Sequence, residues 1–281
     1  MELPNSILFM EAILLVASMA AGLLGSLTGL GGGVIVVPFL VLGFGVDLRY
    51  AVGISLVCVI ATSSGAAAAY VREGYTNVRI GMFLEMATTI GALTGAMITT
   101  LVEKKWIGII FGVMLLLSAY TSVAKHQEEY TGEPDKLAAR FSLSGNYPTA
   151  SGARSYNVTG VPGGFLLMYV AGILSALLGI GSGALKVVAM DNLMKIPFKV
   201  STTTSNFMIG VTAAASAGVY LGRGYIQPPL AMPVMLGILV GSLVGASLLH
   251  KMKTETLRKV FSVVICLVGI EMIYKSLMGQ L

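Results

Sequence analysis

The chain has 281 residues, of which 56% are hydrophobic and only 11% charged, with a mean hydropathy of +0.86. Soluble domains carry about 25% charged residues, so this chain cannot coat a water-facing globule and reads as an integral membrane protein. Its net charge of +5 does not mark a nucleic-acid binder, because the basic residues cluster at the ends of apolar runs, as membrane topology signals do.

Long uninterrupted apolar runs predict a helical bundle, since a barrel would alternate apolar and polar residues in short strands. No cleavable signal peptide is expected: Met1 to Met10 offers Glu2 and no Lys or Arg, and the run that follows is too long. The first run covers 7–28. It is followed by Gly29-Leu30-Gly31-Gly32-Gly33 and a short run over 34–45. A dozen residues make about 18 Å of helix, too little to cross a core of about 30 Å. Runs over 50–71, 80–101 and 106–123 each approach or reach the roughly 20 residues of a membrane span. The first of them carries Ser55 and Thr62-Ser63-Ser64, and Glu85 sits about two turns inside the second. Residues 124–162 are polar and rich in turn formers, a water-exposed loop with a small hairpin around 141–158. Apolar runs resume over 163–178, 184–194, 200–221, 229–249 and 257–278, and Gly179-Ile180-Gly181-Ser182-Gly183 separates the first two. Cys58 and Cys266 lie inside apolar runs without metal or redox spacing and read as packing residues.

The second half repeats the first at an ungapped offset of 150. Gly29, Gly31 and Gly33 meet Gly179, Gly181 and Gly183; Ser55 meets Ser205; Thr62 meets Thr212; Gly91 and Gly95 meet Gly241 and Gly245. The predicted fold is an all-α polytopic membrane protein of two repeats. Each holds a glycine-broken hairpin plus about three full transmembrane helices, over 1–123 and 163–281, with 124–162 between them. Residues 7–45 either cross once as a broken helix or enter and return. A single crossing divides the loop Lys and Arg nine against eight; a returning pair divides them twelve against five. The positive-inside rule favours the second arrangement. It makes the repeats inverted, puts the central loop in the cytoplasm and leaves both termini outside.

Glycine clusters inside membrane sequence break the helix, and broken backbone survives there only where protein or a wet cavity satisfies it. The helices restarting after Gly33 and Gly183 would aim free N–H groups at a cavity, suited to an anion. The other reading is that the glycines only let helices cross closely, as Gly91/Gly95 and Gly237/Gly241/Gly245 are expected to do. A nucleotide loop is disfavoured, because Val34 stands where the last fingerprint glycine belongs and no Gly-Lys-Ser/Thr occurs. Lys186, three residues past Gly183, is the one basic residue inside an apolar segment. It binds an anionic substrate, snorkels, or pairs with a carboxylate such as Glu85. The candidate substrate-binding set is Gly29, Gly31, Gly32, Gly33, Ser55, Thr62, Ser63, Gly181, Ser182, Gly183, Lys186, Thr204, Ser205 and Asn206. Glu85 and Asp191 are candidates to carry a coupling proton, with sodium the other ion considered. His126 and His250 make no metal spacing, no nucleophile stands beside a base and an acid, and neither cofactor nor enzymatic chemistry is expected.

The doubled glycine motif, with Pro38, Ala51-Val52-Gly53-Ile54-Ser55 and Ala61-Thr62-Ser63-Ser64, resembles the TauE/SafE sulfite-exporter family over nearly the whole chain outside the central loop. Two positions depart from the pattern of the first half: Ser182 replaces a glycine and Val188 stands where Pro38 would fall. The resemblance implies secondary transport, without ATP, of a small organic or inorganic anion such as sulfite, a sulfonate or sulfoacetate. It also implies the cytoplasmic membrane of a prokaryote. A passive anion channel and a membrane enzyme or sensor subunit are the alternatives, and a homodimer is left open.

Overall fold

A computed structural model of the chain describes residues 5–28, 33–72, 74–123, 135–149, 152–249 and 254–280. Among these residues it is helical almost throughout. Helices α1 (Asn5–Thr28), α2 (Gly33–Pro38), α3 (Leu48–Arg72), α4 (Val78–Ile98) and α5 (Lys104–Val123) precede the central segment. That segment holds α6 (Lys136–Arg140) and an antiparallel hairpin, β1 (Gly145–Thr149) with β2 (Gly152–Tyr156). Then come α7 (Val161–Leu178), α8 (Gly183–Val188), α9 (Phe198–Gly222), α10 (Pro228–Leu249) and α11 (Thr254–Leu277). Helices α2 and α8 each run on into a wider π-type turn, Phe39–Gly43 and Ala189–Leu193. The expected helical runs, the two short helices and the small hairpin all take these places.

Local chemistry sets the ends. The Asn77 side chain caps α4 by accepting from Ile80 N at 3.0 Å. Pro162 opens α7, where its missing N–H costs nothing. Gly179 closes α7 in the left-handed region at φ +68, its N–H bonded to Ser175 O at 2.9 Å.

Helix α1 packs on α10, α4 on α7, α3 on α9 and α5 on α11. The close approaches recur at the 150-residue offset. A Cβ on Gly91 would strike the Tyr169 carbonyl and one on Gly241 the Met19 carbonyl; Gly172 meets Thr88 O as Gly22 meets Ile238 O. Glycine there lets two backbones touch, the expected work of small-xxx-small spacing.

The end of the second short helix returns to where α7 began: Thr159 N bonds Met194 O at 3.1 Å. Residues 161–194 therefore enter the bundle and come back to the same end. The α3–α4 turn lies at that end too, with Asn77 bonded to the Leu143 carbonyl at 2.9 Å. The opposite end gathers the start of α3, the α4–α5 link and the α9–α10 turn. Arg49 there reaches the Thr100 and Val102 carbonyls, and Arg223 those of Ala96 and Met97.

The core is apolar, yet large apolar side chains also lie on the outside and several polar ones are buried. The outward face of α4 presents Met82, Met86, Ile90, Leu93 and Met97, all exposed, while Ser55, Thr88, Lys186, Thr204 and Thr212 are buried. Among the described residues, Val78–Ile98 and Val161–Leu178 are long and apolar enough to span a bilayer by length and composition. Helix α9 is as long at 25 residues, but Ser201-Thr202-Thr203-Thr204-Ser205-Asn206 interrupts its apolar sequence.

Candidate functional site

The broken hairpin of the second half and helices α3, α4 and α9 meet inside the bundle. Ser55, wholly buried on α3, donates to the Gly179 carbonyl at 2.7 Å, with the Gly33 carbonyl at 3.2 Å. One hydroxyl thus touches the edges of both glycine segments. On α9, Ser205 donates to Gly183 O at 3.2 Å, as its counterpart Ser55 faces Gly33. Gly181 takes φ +70 with its Cα against Ile209 and Val59, and Gly183 faces Ile209 and Ser205. Ser182 is also left-handed, at φ +45, and its hydroxyl donates to Ala171 O at 2.6 Å. Here the departure from glycine supplies a peg that pins the loop to α7. Gly29, Gly31 and Gly32 lie outside the described residues.

A charged group at this depth is Lys186, fully buried on α8. Its ammonium donates to Thr212 Oγ1 at 2.6 Å, and Thr212 lies 2.7 Å from Glu85 Oε1, positioned to donate to it. Thr89 donates to the same carboxylate oxygen at 3.1 Å. The second oxygen, Glu85 Oε2, is buried with no hydrogen-bond partner. Three helices therefore build one line, Lys186 on α8, Thr212 on α9 and Glu85 on α4. The carboxylate is bridged to the ammonium through a hydroxyl rather than paired directly. Such a site holds a cation and an anion in a buried interior, which is tolerable because their charges cancel.

The other expected residues spread along α3 and α9. Thr62 hydrogen-bonds within its own helix, to Cys58 O at 3.1 Å or Val59 O at 3.2 Å, and Ser63 faces Gly210 across the α3–α9 crossing. Thr204 accepts from Asn77 N at 3.1 Å, nearer the hairpin end. Asn206 is buried on α9, and Asp191 is buried in the turn after α8. The structure brings together Gly33, Ser55, Gly183 and Ser205, and separately Lys186 and Glu85, with Thr204 a step outside.

Thr212 was not among the expected site residues. It lies seven positions after Ser205 on the same helix, two turns along one face, and that spacing was the available signal. Also missed was an open cavity of about 540 Å³ at the hairpin end, lined by Tyr75, Thr76, Asn77, Arg79, Ser142 and Asn146 among others. Asn77 holds its wall by donating to Tyr156 OH at 2.7 Å. Burial pushes the Tyr156 phenol above its usual pKa, and the Asn77 bond works in the opposite sense. At the other end Asp47 pairs with Lys104. Burial alone would raise the Asp47 pKa, but hydrogen bonds from Lys104 and the Arg49 N–H, with the charges of both, hold it below the carboxylate norm.

The sequence matches the family described as Sulfite exporter TauE/SafE over residues 14–272. It is 28% identical over 273 residues to "Probable membrane transporter protein YunE" of Bacillus subtilis, covering 94% of this chain and 98% of that protein. It is 23% identical over 288 residues to "Probable membrane transporter protein MJ0441" of Methanocaldococcus jannaschii, covering 97% and 98%. No solved structure matches.

Proposed function

The chain belongs to the TauE/SafE sulfite exporter family, and from that premise we propose that it exports a small organic or inorganic anion such as sulfite, a sulfonate or sulfoacetate. The family is described as a sulfite exporter, and its relatives above carry the name of probable membrane transporter proteins. The anion specificity, the direction and the mechanism are our reading. The two halves act as inverted repeats, and movement of one against the other opens the site alternately to each side. The central segment with its hairpin lies in the cytoplasm, both termini outside, in the cytoplasmic membrane of a prokaryote. That orientation rests on the twelve-to-five division of loop Lys and Arg.

The observation that carries the proposal is Lys186, a fully buried cation beside hydroxyl-bearing helices. An entering oxyanion gains the ammonium, while Thr and Ser hydroxyls of α9 replace its hydration. The test is thermal stabilisation of purified protein by sulfite, sulfate, thiosulfate, sulfoacetate, taurine and short carboxylates. Ligand at a hundred times its dissociation constant stabilises by about 2.7 kcal/mol. Stabilisation by a sulfur oxyanion or sulfonate, lost in Lys186→Met, supports the site; stabilisation unchanged in that variant refutes it. Reconstituted vesicles then separate gradient-driven uphill flux from the downhill flux of a channel.

A further inference from the structure

Lys186 as the anion's partner leaves a question about Glu85. The ammonium is held to the carboxylate through Thr212. An anion that takes the ammonium makes the buried charge one unit negative, unless something compensates. Desolvated net charge is far costlier than a neutral assembly. Glu85 has the means to compensate. Oε1 already accepts from Thr212 and Thr89, whereas Oε2 is buried and bare. A proton there would cancel the surplus charge.

We propose that Glu85 is the seat of a proton that binds together with a singly charged oxyanion held by Lys186; this rests on the anion reading of Lys186 given above. In the empty site Lys186 and Glu85 cancel. In the loaded site the anion and Lys186 cancel, and Glu85 is a neutral carboxyl. One proton leaves water on the open side and forms an O–H bond at Oε2, the anion exchanges hydration water for the ammonium, and no electrons move. Release on the other side reverses each step. Proton and anion therefore travel in the same direction. A dianion would leave the site charged even after protonation, so singly charged sulfonates and hydrogensulfite are favoured over sulfate, and over sulfoacetate with both its acid groups ionised.

The surrounding groups leave this role to Glu85. Helix α4 packs on α7 and α9, and α8 reaches it through Lys186. On α7 the titratable side chain is Tyr169, bonded to Thr94. On α9 they are Lys199, over the Tyr75 ring, and Tyr220, bonded to Thr99 at the far end, with Arg223 just beyond on the Ala96 carbonyl. Asp191 lies five residues past Lys186 and is engaged by other contacts. On α4 itself Arg79 turns out to Ser142 O.

Purified protein titrated with methanesulfonate, whose own charge is constant from mildly acidic to mildly alkaline pH, tests the proposal. The apparent affinity should rise about tenfold for each unit of falling pH in the range where Glu85 is ionised in the empty protein, since one proton is linked to one anion. By the same reciprocity, adding methanesulfonate to weakly buffered protein should take up one proton. Difference infrared spectra should show a protonated carboxyl that is absent in Glu85→Gln. That variant should still bind methanesulfonate, with no pH dependence and no proton uptake. Wild-type affinity that ignores pH, or Glu85→Gln that keeps the pH dependence, overturns the proton seat while the anion site stands. Sulfate preferred over methanesulfonate overturns the charge rule. If neither methanesulfonate nor sulfite binds at any pH, the anion reading of Lys186 falls and this proposal with it.

Discussion

Removing Lys186 should damage the fold less when Glu85 is removed as well. The hydrogen bonds of 2.6 and 2.7 Å through Thr212 place the ammonium within about 5 Å of Glu85 Oε1. Two unit charges at that distance attract by about 3 kcal/mol at an effective dielectric near 20. Lys186→Met leaves a buried carboxylate uncompensated, and Glu85→Gln leaves a buried ammonium, each expected to cost about 3–5 kcal/mol. The double variant leaves neither charge and should fall within about 1 kcal/mol of the wild type. Each protein is unfolded in a mixed-detergent titration at neutral pH, with helicity as the signal, and the four free energies close a double-mutant cycle. A coupling energy of about 3 kcal/mol or more is expected. Costs that simply add, leaving the double variant worst of all, would refute the charge bridge through Thr212.

Three further outcomes follow from other contacts. Gly172→Val drives a side chain into the Thr88 backbone carbonyl, so it should loosen α4 from α7 by about 1–3 kcal/mol and lower the thermal midpoint, while the same change at Gly218, where an added Cβ meets open space, should leave the midpoint nearly in place. Because Asp47 is held below the usual carboxylate range by Lys104 and Arg49, its contribution should be complete above that range and fade as pH falls through the lowered value; the pair is more than a third exposed on the lysine side, so Asp47→Asn should cost under about 1 kcal/mol, read as a smaller acid-induced drop in melting temperature. Asn77→Ala removes the cap of α4 and the bonds to Leu143 and Tyr156, costing about 1 kcal/mol for the cap and making the hairpin Gly145–Tyr156 cleave faster in limited proteolysis.

The helices were legible because lipid leaves the chain so little choice. A backbone without water must satisfy itself, so an apolar run of the right length becomes a helix wherever it falls, and the expected ends lie within a few residues of those observed. The small hairpin between 141 and 158 was legible from its turn formers for the same local reason. The arrangement around Lys186 was legible only in part. Its depth and charge are properties of one stretch of sequence, and the pairing with Glu85 was one of the readings open to it. The intervening Thr212 belongs to a third helix, and only the α4–α9 packing brings that hydroxyl between the two charges. Ser182 was legible only as a departure from the glycine of the first half; that its hydroxyl fastens the loop to α7 depends on where the Ala171 carbonyl lies in the fold.

The 150-residue offset carries frame and chemistry unequally. The glycines that let helices touch occur at both members of each pair, as do the serines at 55 and 205 that hold the carbonyls of Gly33 and Gly183. The charges do not. Val36 stands where Lys186 would be repeated, Met235 where Glu85 would be, and Ile238 where Thr88 would be; only Thr62 matches its counterpart Thr212. Val36 and Ile238 are as buried as their counterparts Lys186 and Thr88, so the equivalent place at the 150-residue offset holds apolar side chains where Lys186 and Thr212 of the second half and Glu85 of the first build a bridged ion pair. Packing needs to recur if two halves are to move against each other as similar bodies. A binding charge does not: a second buried Lys–Glu pair would add another desolvation cost and a competing site for the same anion. On the proposed function, one site built from both halves, with its cation on one and its carboxylate on the other, is the arrangement in which a single anion is handed from side to side.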